Sequence, residues 1–252
     1  MEILFLGTGT SHGVPVISCQ CSTCQSTDPK NKRLRTSVLI TINGKNILID
    51  TSIDFRQQCL AYNINRIDAI LFTHHHVDHI FGLDEIRVFN KIQNQRIPCF
   101  AGPTTIKMLR HTFSYIFDYP EIPGGIPMLD LINVDKPFEL FGSVIVPIEI
   151  MHGRLPIYAY RIGDFIYATD CSGIPEKSLA LFQNAEILVL DCLRRRPHPT
   201  HYNLEQALDV VDKLHPAQTY FTHISHDLEH QEISQSLSEN VQLAFDGLRI
   251  KL

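Results

Sequence analysis

The sequence lacks any long apolar run and any excess of positive charge, and these absences exclude broad classes of protein. No stretch approaches the roughly 20 apolar residues that a membrane-spanning helix needs. Lysine and arginine number 22 against 27 aspartates and glutamates, so the formal net charge is −5. This balance argues against a strongly basic nucleic-acid-binding protein. The amino terminus also lacks a charged segment followed by an apolar stretch and a cleavage site, so we predict a cytoplasmic protein without a secretory signal.

The composition is that of an ordinary globular protein. Hydrophobic residues make up 44% of the 252-residue chain. No repeat, linker or low-complexity segment divides the chain, so we predict a single domain over residues 1–252. Short apolar runs bounded by turn residues are typical of strands. They lie at residues 3–6, 37–42, 46–49, 69–72, 144–150, 158–162, 165–168, 187–190 and 219–221.

Turns and helices separate some of these predicted strands. Asn43-Gly44 is a strong hairpin signal, and Gly163-Asp164 is a weaker one. Helical spacing, capping residues or a first-turn proline predict helices at residues 175–182, 203–214 and 226–237. Blocks of strands with interleaved helices indicate an α/β fold in which sheets pack in layers.

Two segments have more than one interpretation. Residues 112–128 alternate aromatic side chains and then carry proline and glycine. We favour an irregular surface excursion, and the alternatives are a lid over a site or a contact in a homodimer. The run Arg194-Arg195-Arg196 is either a solvated loop or a contact for a substrate phosphate.

The most informative run is His74-His75-His76-Val77-Asp78-His79, directly after the predicted strand at 69–72. In an extended segment His74 and His76 point the same way and can bind one ion together. Asp78 and His79 lie where the chain turns and can bind a second ion. Imidazole and carboxylate suit Zn²⁺, Mn²⁺ or Fe²⁺. By the same alternation His75 points away and is not expected to be a ligand.

Further ligands are needed for two ions, and three candidates each follow a predicted strand. They are His152, Asp170 and His223. Residues just beyond strand ends are where a layered fold gathers its active-site loops. We therefore predict that these three side chains join the histidine run in one site.

The order of these residues resembles the metallo-β-lactamase superfamily. The matching elements are Asp50, the histidine run, His152, Asp170 and His223. The resemblance implies a four-layer αββα sandwich with the site at one edge. It implies two catalytic divalent ions, Zn²⁺ or Mn²⁺, with this ligand set: His74, His76 and His152 for the first, Asp78, His79 and His223 for the second, and Asp170 between them. In this family Asp50 holds the metal loop in place.

The combination of His79 and Asp170 looks like the phosphodiesterase branch of that superfamily. More narrowly, four motifs resemble the phosphoribosyl cyclic phosphodiesterases of the carbon–phosphorus lyase pathway. They are residues 7–15 (GTGTSHGVP), Cys19-x-Cys21-x-x-Cys24, residues 222–226 (THISH) and residues 245–247 (FDG). The likeness implies hydrolysis of a small cyclic phosphodiester by a metal-bridging hydroxide.

The same likeness implies that His201 is the general acid for the leaving alkoxide. His198 is a rival candidate for this role. Asp78 has a second expected role, which is to orient the attacking water. The expected partner is thus a small phosphodiester, with no membrane and no stable nucleic-acid partner.

The three crowded cysteines, Cys19, Cys21 and Cys24, predict a second kind of metal site. In a reducing compartment such crowding indicates metal before disulfide. A tetrahedral Zn²⁺ needs a fourth ligand. The resemblance selects His226 over the weaker candidates His12 and His230. A structural zinc held in this way would pin the loop of about residues 7–36 to the carboxyl-terminal part of the chain.

Three other functions remain open. A tRNA 3′-processing nuclease shares the fold and the ligands, although the only loop of comparable character, 112–128, is short and aromatic. A thioester or lactone hydrolase of the same fold is a second alternative. A nucleic-acid-binding zinc module is a third, against which the acidic balance argues.

Overall fold

The computed structural model describes residues 1–118 and 125–252. Within those ranges the strands are β1 (Glu2–Gly7), β2 (Ser37–Ile42), β3 (Lys45–Ile49), β4 (Ala69–Leu71), β5 (Ile97–Ala101), β6 (Leu129–Asn133), β7 (Phe138–Leu140), β8 (Ser143–His152), β9 (Leu155–Ile162), β10 (Phe165–Ala168), β11 (Ile187–Asp191), β12 (Gln218–Thr222), β13 (Val241–Leu243) and β14 (Arg249–Lys251). The helices are α1 (Ser22–Gln25), α2 (Phe55–Ala61), α3 (Val77–Ile80), α4 (Ile86–Gln93), α5 (Pro103–Thr112), α6 (Ser114–Phe117), α7 (Glu176–Leu179), α8 (Leu204–Leu214) and α9 (His230–Ser234). None of these helices is long and apolar enough to cross a membrane.

The strands form two seven-stranded mixed sheets. The first has the order β14-β1-β2-β3-β4-β5-β6, and the second has the order β13-β12-β11-β10-β9-β8-β7. Strands β3 to β6 run parallel to one another, as do β10 to β13. Since the carboxyl ends of parallel strands meet at one edge of a sheet, each sheet gathers several loops at a single edge.

Three apolar clusters divide the molecule into four layers. The central cluster joins the inner faces of both sheets through side chains such as Phe5 and Tyr167. A second cluster packs α2 to α6 on the outer face of the first sheet, where Phe55 and Leu109 are fully buried. The third packs α8 and α9 on the second sheet, with Ala207 and Ile233 fully buried. The predicted αββα layering is confirmed.

Both predicted hairpin turns are confirmed. Asn43 and Gly44 have φ angles of 51° and 73°, the left-handed conformation that a tight two-residue turn between β2 and β3 requires. Gly163 has a φ of 58° and joins β9 to β10.

The predicted helix at 203–214 is confirmed as α8, which begins with a capping box between Asn203 and Gln206. The helix predicted at 226–237 is wrong over most of its length. Only α9 is helical, because the hydroxyl of Ser225 accepts a hydrogen bond from the Asp227 amide and holds a turn ahead of it. The segment at 175–182 splits into α7 and a single 3₁₀ turn, Ala180–Phe182.

The interpretation of residues 112–128 as an irregular excursion is wrong at its start. Residues Ser114–Phe117 form α6, and Phe113 and Ile116 are buried in the core beneath the first sheet. Tyr119, Pro120, Pro123 and Gly124 lie outside the described residues.

Candidate metal centre

A buried aspartate at the end of β3 holds the histidine loop in place. Asp50 has a left-handed backbone, with φ of 63°, and is fully buried. Its Oδ1 accepts a hydrogen bond from the Thr73 amide, and its Oδ2 accepts one from the Thr73 hydroxyl, both at 2.8 Å. The same Oδ2 lies 2.7 Å from His79 Nδ1. Because a carboxylate only accepts, His79 donates from Nδ1 and presents Nε2 to the site.

The other side of the loop brings three histidines together. His74 Nε2 lies 3.0 Å from His76 Nδ1, and a nitrogen of His152 lies within 4.8 Å of both donor atoms. His152 donates from Nδ1 to the Thr200 carbonyl at 2.8 Å, which leaves its Nε2 available. Burial lowers the pKa of His74 well below its usual value, so this ring is neutral. His152 is the last residue of β8; the expectation that it follows the strand is off by one position.

A second group consists of Asp78, His79, Asp170 and His223. Asp170 Oδ2 lies 3.2 Å from His79 Nε2 and 3.2 Å from His223 Nδ1. Asp78 Oδ2 lies 3.4 Å from His79 Nε2. Asp170 Oδ1 is 4.0 Å from His74 Nε2, so this carboxylate stands between the two groups.

The chemistry of this second group fits a cation. His79 Nε2 and His223 Nδ1 are buried, and neither has a hydrogen-bond partner among the described residues. The opposite nitrogen of each ring is occupied, by Asp50 for His79 and by the Thr10 hydroxyl, at 3.2 Å, for His223. Buried polar atoms without a partner are costly, and a metal ion would satisfy both. The donor set, imidazoles and carboxylates, suits a divalent ion.

His201 packs beside both groups. Its ring centroid is 4.8 Å from that of His223 and 4.7 Å from that of His152. Its Nδ1 lies 3.2 Å from Asp191 Oδ2. Burial disfavours the charged ring, but the Asp191 carboxylate outweighs burial and raises the pKa of His201 to about 9.

His198, the rival for the same role, is displaced from the centre. Its ring is 5.1 Å from that of His201, and its Nδ1 accepts a weak hydrogen bond from the Thr200 amide at 3.4 Å. Burial lowers the pKa of His198. His75 lies in none of the donor groups of the described residues, in keeping with the expectation that it points away.

Sequence reasoning missed Asp191, Thr10 and Thr200, which orient the histidines. Asp191 is the last residue of β11 and lies fully buried. An acid at the end of a predicted buried strand was a usable signal, the same one that identified Asp170. Thr10 and Thr200 give no such signal, because the hydroxyl of one and the carbonyl of the other reach the histidines only through the tertiary fold.

The three cysteines converge on His226. The distances from its Nδ1 to the sulfurs of Cys19, Cys21 and Cys24 are 3.2, 3.3 and 3.5 Å. A hydrogen bond from the Cys24 amide lowers the pKa of Cys21 to about 6, so this thiol ionises readily. His230 instead lies 3.1 Å from the Arg33 guanidinium.

The loop of residues 7–36 is tied to the carboxyl-terminal part of the chain at other points as well. Gly9 forms a bridge with Ile224, and the Thr10 amide donates to the Ile224 carbonyl at 3.1 Å. Asp246 accepts hydrogen bonds from the Thr8 hydroxyl and the Leu34 amide, both at 2.7 Å. The aspartate of the FDG motif thus fastens both ends of the loop.

A pocket of about 310 Å³ opens beside His201. His201 belongs to its lining together with His226, so the pocket extends from the candidate acid to the cysteine cluster. The remaining lining residues are Thr10, Ser11, His12, Val16, Leu193, Arg194, Arg196, His198, Ser225 and Asp227.

Comparison with known proteins identifies this arrangement. The model of the β-lactamase superfamily domain matches residues 45–224. The chain belongs to the metallo-β-lactamase superfamily. It is 43% identical to the crystal structure of a new diphosphatase from the PhnP family, with a TM-score of 0.93 over 99% of this chain and 96% of that one. Membership of the superfamily and this relative show a metal-dependent hydrolase.

Two curated relatives are longer than this chain. An octanoyltransferase of Porphyromonas gingivalis is 38% identical over 253 residues, which cover 98% of this chain and 51% of that protein. A ribonuclease Z of Clostridium kluyveri is 28% identical over 144 residues, which cover 55% of this chain and 46% of that one. The chain therefore spans about half the length of the curated relatives it matches.

Proposed function

We propose that the chain hydrolyses a small cyclic phosphodiester, such as a phosphoribosyl cyclic phosphate, with two divalent ions. One ion would be held by His74, His76 and His152. The other would be held by Asp78, His79 and His223, with Asp170 shared between them. Bound there, the ions would supply a water activated at neutral pH and offset the charge that develops on the phosphate.

The observation that carries this proposal is the position of His201, which belongs both to the pocket and to the surroundings of the ligand groups. Asp191 accepts from its Nδ1 and raises its pKa to about 9, so the ring is charged at neutral pH and keeps a proton on Nε2. A proton held there suits donation to an alkoxide leaving group, which departs poorly without one.

The pocket also favours a small substrate. A volume of about 310 Å³ accommodates a sugar phosphate. Arginine, histidine and hydroxyl side chains in its lining are suited to an anionic ester. The imidazole and carboxylate donors suit both Zn²⁺ and Mn²⁺.

The proposal is tested by removing the exchangeable metal by dialysis and adding back single ions while bis-(p-nitrophenyl) phosphate hydrolysis and metal content are measured. We expect activity to return as two exchangeable ions bind per chain. His201→Ala should slow an alkyl diester far more than this aryl diester, because the aryl group leaves without a proton. Absence of diester hydrolysis with every ion would contradict the proposal.

A second candidate is a diphosphatase, because the 43% identical structure is that of a diphosphatase. Attack at phosphorus and protonation of a leaving oxygen would use the same residues. The two candidates are separated by comparing kcat/KM for a cyclic phosphodiester and for a diphosphate ester under one set of metal conditions.

The tRNA-processing alternative has less support. Of the three arginines in the run 194–196, two are paired with acids, Arg195 with Glu232 and Arg196 with Asp227. A pre-tRNA cleavage assay tests it directly. A panel of thioesters and lactones tests the remaining alternative within the fold.

We propose that Cys19, Cys21, Cys24 and His226 hold a structural Zn²⁺. Four protein ligands complete a tetrahedral shell and leave no position for substrate. The sulfurs, 3.2–3.5 Å from one imidazole nitrogen, are spaced as ligands of one ion would be. Metal analysis should then find one zinc that survives the dialysis that removes the catalytic pair.

A further inference from the structure

A second pocket lies between α9 and β13, and it is separate from the pocket beside His201. Its volume is about 540 Å³, and the two pockets share no lining residue. The strand β13 forms one wall of this α9–β13 groove and the helix α9 forms another. Phe245, which lies just after β13, and Lys30 also line it. None of the donors in the two metal-binding clusters belongs to its lining.

The β13 wall presents backbone groups that have no partner. β13 is an edge strand of the second sheet and pairs with β12 on one side only. The register with β12 directs the backbone of Gln242 toward that strand and the backbone of Val241 and Leu243 away from it. Within residues 1–118 and 125–252 the Leu243 amide and the carbonyls of Val241 and Leu243 form no hydrogen bond. Such an edge is suited to pair with another extended chain.

The α9 wall supplies a hydrogen-bond donor. His230 is buried and lines the groove, and its Nδ1 accepts a hydrogen bond from the Arg33 guanidinium at 3.1 Å. Because arginine only donates, the ring proton is on Nε2, which forms no hydrogen bond in the part of the chain that the structure describes. Burial and the charge of Arg33 lower the pKa of His230 to about 4, so the ring is neutral at neutral pH. The bond from Arg33 polarises the ring and strengthens the donor at Nε2.

A cation stands beside this donor. The Lys30 Nζ lies 4.6 Å from the centre of the Phe245 ring, and the His230 ring packs edge-on against the same ring with centroids 5.9 Å apart. Lys30 is exposed and forms no salt bridge among the described residues. The one acid in the lining is Asp28, whose Oδ1 accepts a hydrogen bond from the Lys30 amide at 2.9 Å. An ammonium group and a polarised N–H at the same end of the groove are suited to bind a carboxylate.

We propose that the α9–β13 groove binds the carboxyl-terminal segment of a partner protein as an added strand. The segment lies beside β13 and pairs with the Leu243 amide and with the carbonyls of Val241 and Leu243. Its terminal carboxylate accepts hydrogen bonds from His230 Nε2 and Lys30 Nζ. Because Phe245 lies beyond the carboxyl end of β13, the added strand runs parallel to β13.

The test selects ligands for the full-length, metal-loaded chain from a random octapeptide library with free carboxyl ends. The best ligand is then synthesised again with a carboxyl-terminal amide. We expect amidation to weaken its binding about tenfold or more, as loss of charge-assisted hydrogen bonds does. Lys30→Glu should weaken binding of the free-carboxyl peptide to a similar degree. Lys213→Glu is the matched control, because it makes the same charge change at an exposed position of α8 and should leave binding unchanged.

Hydrogen exchange tests the added strand itself. Bound peptide should slow the exchange of the Leu243 amide and leave the amides of β14, the edge strand of the first sheet, unchanged. Failure of every peptide to bind, equal binding of the amidated form, or an unprotected Leu243 amide would overturn the proposal. Self-association of the wild type that Lys30→Glu abolishes would also overturn it, since a second copy of the chain would then cover the groove.

Discussion

The two clusters of metal-binding side chains are built in opposite ways. The histidine and aspartate groups collect residues from strand ends in both sheets, with Asp170 after β10 and His223 after β12. The cysteine cluster takes three donors from six consecutive positions and only His226 from elsewhere. The two sheets therefore position the donors of the first site, whereas most donors of the second site lie on one short loop segment.

Burial differs between the two clusters in degree only. In the histidine and aspartate groups His76 is exposed, whereas His74, His79, Asp170 and His223 are buried and Asp50 has no exposure at all. In the cysteine cluster Cys24 is buried, whereas Cys19 and Cys21 are half-buried. A site built on strand ends is rigid and suits catalysis, while a site on a loop suits the fastening of that loop.

The largest effect is expected at the shared carboxylate. Asp170→Ala removes the one donor that faces both groups, so catalytic metal binding and activity should collapse, with kcat falling by about 10³-fold or more. Metal analysis should find the catalytic ions lost and one zinc retained. Loss of all metal would show that the two clusters are not independent.

The corresponding change in the cysteine cluster is Cys24→Ser. We expect the tightly bound zinc to disappear and the free energy of unfolding to fall by about 4 kcal/mol, the linkage expected when free zinc is about 1,000 times Kd. Zinc content and chemical denaturation measure this. Cys59→Ser is the matched control, because Cys59 lies in neither cluster. This variant should retain the zinc.

The sequence and its family resemblance predicted which side chains lie together, because both clusters consist of residue types that seldom occur together by chance. The strand-end positions of Asp170 and His223 also followed from apolar runs. The orienting residues could not be predicted in this way. Thr200 contributes a backbone carbonyl to His152, and any residue type offers one. The turn at 225–228 was missed because helical spacing there competes with a side-chain bond from Ser225.

The pH dependence of the activity tests the role of His201 beside the histidine and aspartate groups. As the proposed general acid, His201 would act in its protonated form. Asp191 raises the pKa of His201 to about 9, so wild-type activity on an alkyl diester should fall as the pH rises through about 9. Asp191→Asn removes the carboxylate while burial remains, so the pKa of His201 drops and the decline moves to lower pH. At pH 8 we expect a loss of about 10²-fold.

The control for this variant is the leaving group. An aryl diester needs little protonation, so its alkaline decline should shift far less in Asp191→Asn. An equal shift for both substrates would indicate that Asp191 acts on the metal ligands and not on the proton donor.

The smallest effect is expected at Thr10, where the loop of residues 7–36 contacts the histidine and aspartate groups. Thr10 belongs to the loop of residues 7–36, and its hydroxyl lies 3.2 Å from His223 Nε2, opposite the nitrogen that faces Asp170. An ion bound at Nδ1 requires the ring proton on Nε2, where the Thr10 hydroxyl can accept it, so Thr10→Val should weaken binding of one catalytic ion about tenfold. Thr10→Ser keeps the hydroxyl and should restore the affinity, measured by metal titration with a chelating indicator. If Cys24→Ser lowers the same affinity while Thr10→Val does not, the loop acts on the catalytic centre through the shape of the pocket and not through this hydroxyl.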